Sequence, residues 1–141
     1  MLRARLDRPT PRVAAGLALA GIAHACIDVS DGLLADLGHV CRASRVGAEL
    51  DVDALPASDA LIAEFDPATR RELQAAGGDD YELCFTAPKT ARLAVRDAMD
   101  ACDVSVTRIG RITGDAGNIL LRDAAGAAWP PPRAGYVHFE G

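Results

Sequence analysis

The chain has 141 residues, half of them hydrophobic and a quarter charged, with a formal net charge of −5. That length suits one domain with a real core, and the composition is that of an ordinary soluble globular protein. The acidic balance and the scattered arginines exclude a general nucleic-acid binder, and with only 4% aromatics the core must be built from Ala, Val, Leu and Ile.

In chain order, Arg8-Pro9-Thr10-Pro11-Arg12 is extended, because the prolines bar a helix interior, and reads as a linker. Val13 to Ile22 predicts a short Ala/Leu-rich helix. The basic Met1–Arg12 stretch, the apolar 13–23 segment and Ala23-His24-Ala25 together resemble a secretory signal. Asp7, Pro9 and Pro11 are out of place in one, and a cut there would strip the front of a core strand. Ala25 to Val29 is that strand, and it carries one acid, Asp28. Ser30-Asp31-Gly32 breaks it. A helix from Asp31 to Ser44 follows, with Leu33, Leu34, Leu37, Val40 and Cys41 on one face. Ala48 to Asp53 alternates as a strand with one wet face, where Asp51 and Asp53 lie in solvent.

Ser58 predicts a helix cap for 60–65, and Asp66-Pro67 starts a helix that runs to about Ala76. Gly77-Gly78-Asp79-Asp80 is a loop before a strand from Tyr81 to Ala87. Thr90 to Cys102 is an amphipathic helix. Val104 to Ile112 and Asn118 to Arg122 read as strands, with a hairpin-like return at Gly126, and Pro130-Pro131-Pro132 stops regular structure. The fold class is α+β, a mixed β-sheet covered by helices. Cys26, Cys41, Cys84 and Cys102 form no CxxC pair and read as buried free thiols.

Two stretches carry chemistry. Ala25–Leu37 is a strand, a sharp turn and a helix, which puts two carboxylates and a hydroxyl at a helix N-terminus. Free N–H groups and the helix dipole draw anions there. Carboxylates beside a phosphate need a cation between them, and magnesium is the usual one. The rival account is a capped helix, with Ser30 or Asp31 as the cap and Asp28 in solvent. Asp36 and His39, three apart on one helix, permit a shared metal or form a solvated face. The second stretch, Gly77–Leu83, pairs glycines that allow close backbone approach with two adjacent acids; its rival account is a plain surface turn. No P-loop and no G-x-S-x-G elbow occurs.

Arg8–Arg12, Ile27-Asp28-Val29-Ser30-Asp31-Gly32-Leu33, Asp36-Leu37-Gly38-His39, Gly77-Gly78-Asp79-Asp80-Tyr81-Glu82-Leu83 and Gly135-Tyr136 stand in the order seen in thiamine-monophosphate kinases. The chain resembles the C-terminal part of that family. The family lies in a superfamily with aminoimidazole ribonucleotide synthetase, selenophosphate synthetase and a hydrogenase-maturation protein. The resemblance implies residues 1–12 as a linker from an absent N-terminal domain and 13–141 as the C-terminal α/β domain. It implies a cytoplasmic, homodimeric enzyme that moves the γ-phosphate of ATP to thiamine monophosphate with Mg2+, this part alone being inactive. It also implies metal roles for Asp28 and Asp31, an ATP contact for Ser30, and substrate contacts for Asp79 and Tyr136. The family usually has Glu where this chain has Asp79, one methylene shorter. The alternatives are a non-catalytic nucleotide- or phosphate-binding module and another ATP-dependent member of the superfamily. Loss of a partner domain is expected to expose an apolar patch around 13–23.

Overall fold

The structure is a computed structural model and describes residues 10–78 and 81–130. Helix α1 (Val13–Leu19) leads into strand β1 (Ala25–Asp28) and helix α2 (Leu33–Ser44). Strand β2 (Gly47–Asp51) passes through a 3-10 turn (Val52–Ala54) to α3 (Asp59–Glu64) and α4 (Pro67–Ala76). Strand β3 (Leu83–Thr86), helix α5 (Arg92–Ala101) and strands β4 (Gly110–Thr113) and β5 (Ile119–Arg122) complete the order. The caps lie where the residue types place them. Ser58 Oγ accepts the Leu61 N–H at 3.2 Å, and Asp66 accepts those of Ala68 and Thr69 ahead of Pro67.

The expected α+β class holds, but the described strands form two sheets rather than one. β1 and β3 make an antiparallel ribbon, with Asp28 opposite Leu83 and Ala25 opposite Thr86. β2 is the centre of a three-stranded mixed sheet, antiparallel to β4 and parallel to β5. The ribbon lies between two cores because successive side chains on a strand point to opposite faces. Leu83 and Phe85 pack with Ala15 and Leu19 of α1 and with Val95 and Met99 of α5. Cys84, on the other face, packs with Leu37 and Cys41 of α2 and with Leu50 and Val52.

Three local expectations change. Residues 104–109 form no strand despite their alternation. Asp51 and Asp53 do not share a wet strand face: the chain tightens into the 3-10 turn after Asp51, which accepts the Asp53 N–H. Asp53 itself is held by Arg71, at 2.7 and 2.8 Å, and by the Ala124 N–H. Cys41 is buried, but Cys26 is exposed, so the thiols are not uniformly core. In α1 the face predicted to lose its cover is partly open: Ala15 and Leu19 are buried, while Val13 and Leu17 are 64% and 73% exposed. Among the described residues no helix is long and apolar enough to cross a membrane.

Candidate metal-phosphate site

The β1–β3 ribbon continues one step past its last ladder pair. The Val29 N–H donates to the Glu82 carbonyl at 2.8 Å, and the Tyr81 N–H to the Val29 carbonyl at 3.0 Å. The chain then turns through Ser30-Asp31-Gly32 into α2. Gly32 takes φ 120°, and a Cβ there would lie 2.8 Å from the Ala76 carbonyl oxygen, so only glycine fits.

The simple capped-helix account does not hold. No side chain caps α2 at Gly32. Instead Asp36, one turn into the helix, reaches back over the N-terminus. Its Oδ2 accepts the N–H of Ser30 at 2.9 Å and that of Asp31 at 3.1 Å. Asp36 is 3% exposed and is the buried charged residue among those described. A carboxylate so placed must be hydrogen-bonded to be tolerated. With both N–H groups directed inward, the Asp31 side chain is exposed, Ser30 is half-buried, and Asp28 is exposed at the end of β1. Asp28 shares the strand face of Cys26, whose thiol is pushed up by partial burial and then by the Asp28 charge. Among the described residues neither Asp28 nor Asp31 has an ion-pair partner.

The other motif segments meet this turn. Gly78 packs backbone to backbone against it, since a Cβ on Gly78 would lie 2.7 Å from the Ser30 carbonyl oxygen. Arg12 grips Glu82 with two hydrogen bonds, Nε at 3.0 Å and Nη2 at 2.8 Å. These bonds to Glu82 hold the guanidinium pKa above its ordinary value, with burial opposing. Arg12, the Ser30–Gly32 turn, Asp36 and the Gly77–Leu83 stretch are thus tied together, though up to 70 residues separate the partners. Asp79 and Tyr136 lie outside the described residues.

Asp31, Asp36 and His39 can each offer a ligand atom, all within 4.8 Å of one another; Asp28 is not in that group. Asp36 is therefore not the solvated helix-face residue expected from its spacing with His39. His39 Nδ1 lies 2.9 Å from Arg42 Nη2 and must accept there, because a guanidinium has no acceptor. The Asp28 and Asp31 carboxylates suit a hard cation, being exposed oxygens with no ion-pair partner among the described residues, while the positive end of the helix beside them favours an anion. A shallow depression lined by Glu49, Arg108, Arg111 and Arg122 lies on the three-stranded sheet and includes none of these residues.

The sequence did not reveal three contributors, Asp36, Arg12 and Glu82. Asp36 was visible as an acid in the first turn of the helix, but its burial was not. Arg12 and Glu82 carried no spacing signal.

Residues 3–122 match the family described as AIR synthase related protein, C-terminal domain. Thiamine-monophosphate kinase of Salmonella typhimurium is 44% identical over 133 residues, which are 94% of this chain and 40% of the relative. That of Caulobacter vibrioides is 36% identical over 143 residues, 98% of this chain and 40% of the relative. The crystal structure of thiamine-monophosphate kinase from Stenotrophomonas maltophilia K279a superposes with a TM-score of 0.81 at 48% identity, covering 91% of this chain and 39% of that one. A structure of AaThiL complexed with AMPPCP and TMP gives 0.69 at 29% identity, covering 91% and 40%. The chain thus spans about 40% of the length of the relatives it matches. On the family match and the fold together, the chain belongs to the AIR synthase related protein, C-terminal domain family.

Proposed function

We propose that this chain is the C-terminal part of a cytoplasmic thiamine-monophosphate kinase, which moves the γ-phosphate of ATP to thiamine monophosphate. The observation that carries the reading is the convergence of its motif segments on one turn: Gly78 against the Ser30 carbonyl, Asp36 on the Ser30 and Asp31 N–H groups, Arg12 on Glu82. The relatives' names, and the AMPPCP and TMP bound in AaThiL, support it.

In this reading Asp28 and Asp31 hold Mg2+, and the Ser30 hydroxyl contacts the nucleotide. Magnesium, when bound, neutralises phosphate charge. Asp79 and Tyr136 contact the substrate, Tyr136 at the thiamine end. In-line phosphoryl transfer asks for positioning and charge neutralisation rather than a protein nucleophile. A turn with two outward carboxylates is consistent with that, and the reading gives the neighbouring His39 and Cys26 no part in the transfer. Ser30 and Asp31 give their own N–H groups to Asp36, so the phosphates are left to the N–H groups at the start of α2.

Residues 1–12 are the linker from an N-terminal domain, without which this part is inactive. The enzyme works as a homodimer, a state that light scattering of the full-length protein checks. Asp28→Asn and Asp31→Asn in the full-length protein each lower turnover by ~100-fold or more, as loss of several kcal/mol of charge stabilisation implies. The assay is thiamine diphosphate formation, with circular dichroism to show that the fold persists. Unchanged turnover in both variants overturns the proposal.

A further inference from the structure

Asp36 holds no ligand in the kinase reading, yet it makes the contacts that shape the site. We propose that Asp36 is a positioning residue whose one oxygen, Oδ2, sets the direction of the Asp28–Asp31 turn and thereby aims the carboxylates that take the metal. The inference rests on the kinase reading.

Three observations carry it. First, both N–H groups of the turn converge on the same oxygen, at 2.9 and 3.1 Å, so a single atom fixes two successive peptide planes. Second, Asp36 is only 3% exposed. Burying a carboxylate is costly, and a polar side chain at the N-cap would hold a helix at lower cost. That solution is closed at position 32, where any Cβ would meet the Ala76 carbonyl oxygen. Third, the turn has no slack on its other side, because Gly78 abuts the Ser30 carbonyl. The turn is clamped between the Gly78 backbone and Asp36 Oδ2, and the Asp31 side chain projects from that clamp into solvent.

What matters in this account is the place of an acceptor oxygen, not a second negative charge beside Asp31. That separates Asp36 from a direct metal ligand. Asn keeps a carbonyl oxygen at the same reach and can accept both N–H groups. Glu keeps the charge but carries it one methylene too far.

The test compares Asp36→Asn, Asp36→Glu and Asp36→Ala in the full-length protein. Mn2+ is the metal probe, followed by its electron paramagnetic resonance, and amide hydrogen exchange is read at Ser30 and Asp31. Groups that orient metal ligands typically contribute 10–100-fold in metal affinity. Asp36→Ala and Asp36→Glu are expected to weaken Mn2+ binding by about that factor and to speed exchange at both amides. Asp36→Asn is expected to keep slow exchange and to bind within a few-fold of the parent. Asp36→Glu binding more tightly than Asp36→Asn overturns the proposal, because charge would then be what counts. If Asp36→Ala does not fold, the order of Asn and Glu still decides. Asp28→Asn and Asp31→Asn are assayed for turnover in parallel. If these are inactive and the Asp36 series binds Mn2+ like the parent, this inference fails while the kinase reading stands. If these are fully active, the kinase reading fails, and the exchange data still report whether Asp36 holds the turn.

Discussion

The backbone contact between Gly78 and the Ser30 turn can be tested by adding one methyl group. In Gly78→Ala the new Cβ lies 2.7 Å from the Ser30 carbonyl oxygen and 3.5 Å from the Asp31 carbonyl carbon, where ordinary contact begins near 3.4 Å. Gly78 does not have a positive φ, so conformational strain does not enter. The obstacle is backbone rather than the flexible end of a side chain, and the turn or the loop must move by roughly 0.7 Å to restore contact. Overpacking of this kind costs about 1–3 kcal/mol, and the lower half applies because Gly78 is exposed. With an unfolding entropy of ~2.1 cal/mol/K per residue, a chain of this length loses about 3–7 °C in Tm. A misplacement of 1 Å at reacting groups costs ~100-fold in rate, so a shift of this size lowers turnover about 25-fold. The assays are scanning calorimetry and thiamine diphosphate formation by the full-length protein. Gly114→Ala is the control: its φ is not positive and its Cβ would meet nothing within 4 Å. That substitution is expected to be neutral or to stabilise by about 0.4–1 kcal/mol through the unfolded chain. Gly78→Ala behaving like Gly114→Ala in both assays would refute the contact.

Two further outcomes follow from electrostatics. The Ala124 N–H, then Arg71, hold the Asp53 carboxyl below its ordinary value. A depressed carboxylate contributes stability that is fully present above the unfolded pKa, ~3.9, and is lost as pH falls toward the folded one. Urea midpoints of Asp53→Asn should therefore fall short of the parent by a constant gap above about pH 5, and that gap should close below about pH 4. A gap independent of pH down to acid unfolding would contradict the assignment. Burial, with the neighbouring Cys26, Cys41 and Asp36, pushes the Cys84 thiol up to about 11. At pH 8 only ~0.1% of it is thiolate, the nucleophilic form. Mass spectrometry after iodoacetamide treatment should show Cys26 labelled in the native protein, and Cys84 and Cys41 only after denaturation. Equal native labelling of Cys84 and Cys26 would count against this burial.

Local chemistry was readable where local chemistry decides. Ser58 and Asp66-Pro67 mark their helix starts because a cap needs only the next three residues. Residues 104–109 show the limit. Their alternation fits a strand, but a strand also needs a free edge. β2 gives one edge to Gly110–Thr113 and the other to Ile119–Arg122, and its five residues leave little for the chain ahead of Gly110. Asp36 shows a different limit. At 100° per residue it falls ~40° from Val40, at the rim of the apolar stripe of α2. Periodicity cannot say whether a rim residue turns inward. The two N–H groups that Ser30 and Asp31 present decide it, and they belong to a turn whose shape the periodicity does not contain.

The site as a whole depends on one further fact, the direction in which β1 meets β3. Antiparallel pairing with Asp28 opposite Leu83 sets the residues after β1 against those before β3. Val29 therefore meets Tyr81 and Glu82, and the Ser30 carbonyl meets Gly78. Had the same strands paired in parallel, residues 30–32 would run beside residues 88–90, and the glycine pair would sit at the far end of the ribbon. The sequence offers the two motifs and the two strands, but nothing in either strand's residues states the direction. The cores on both faces set only which side chains turn which way. Leu83 and Phe85 must reach α1 and α5 while Cys84 reaches α2. The antiparallel pairing of the ribbon thus brings the acidic turn to the glycine loop, and the chemistry proposed for Asp28, Ser30 and Asp31 follows from that direction.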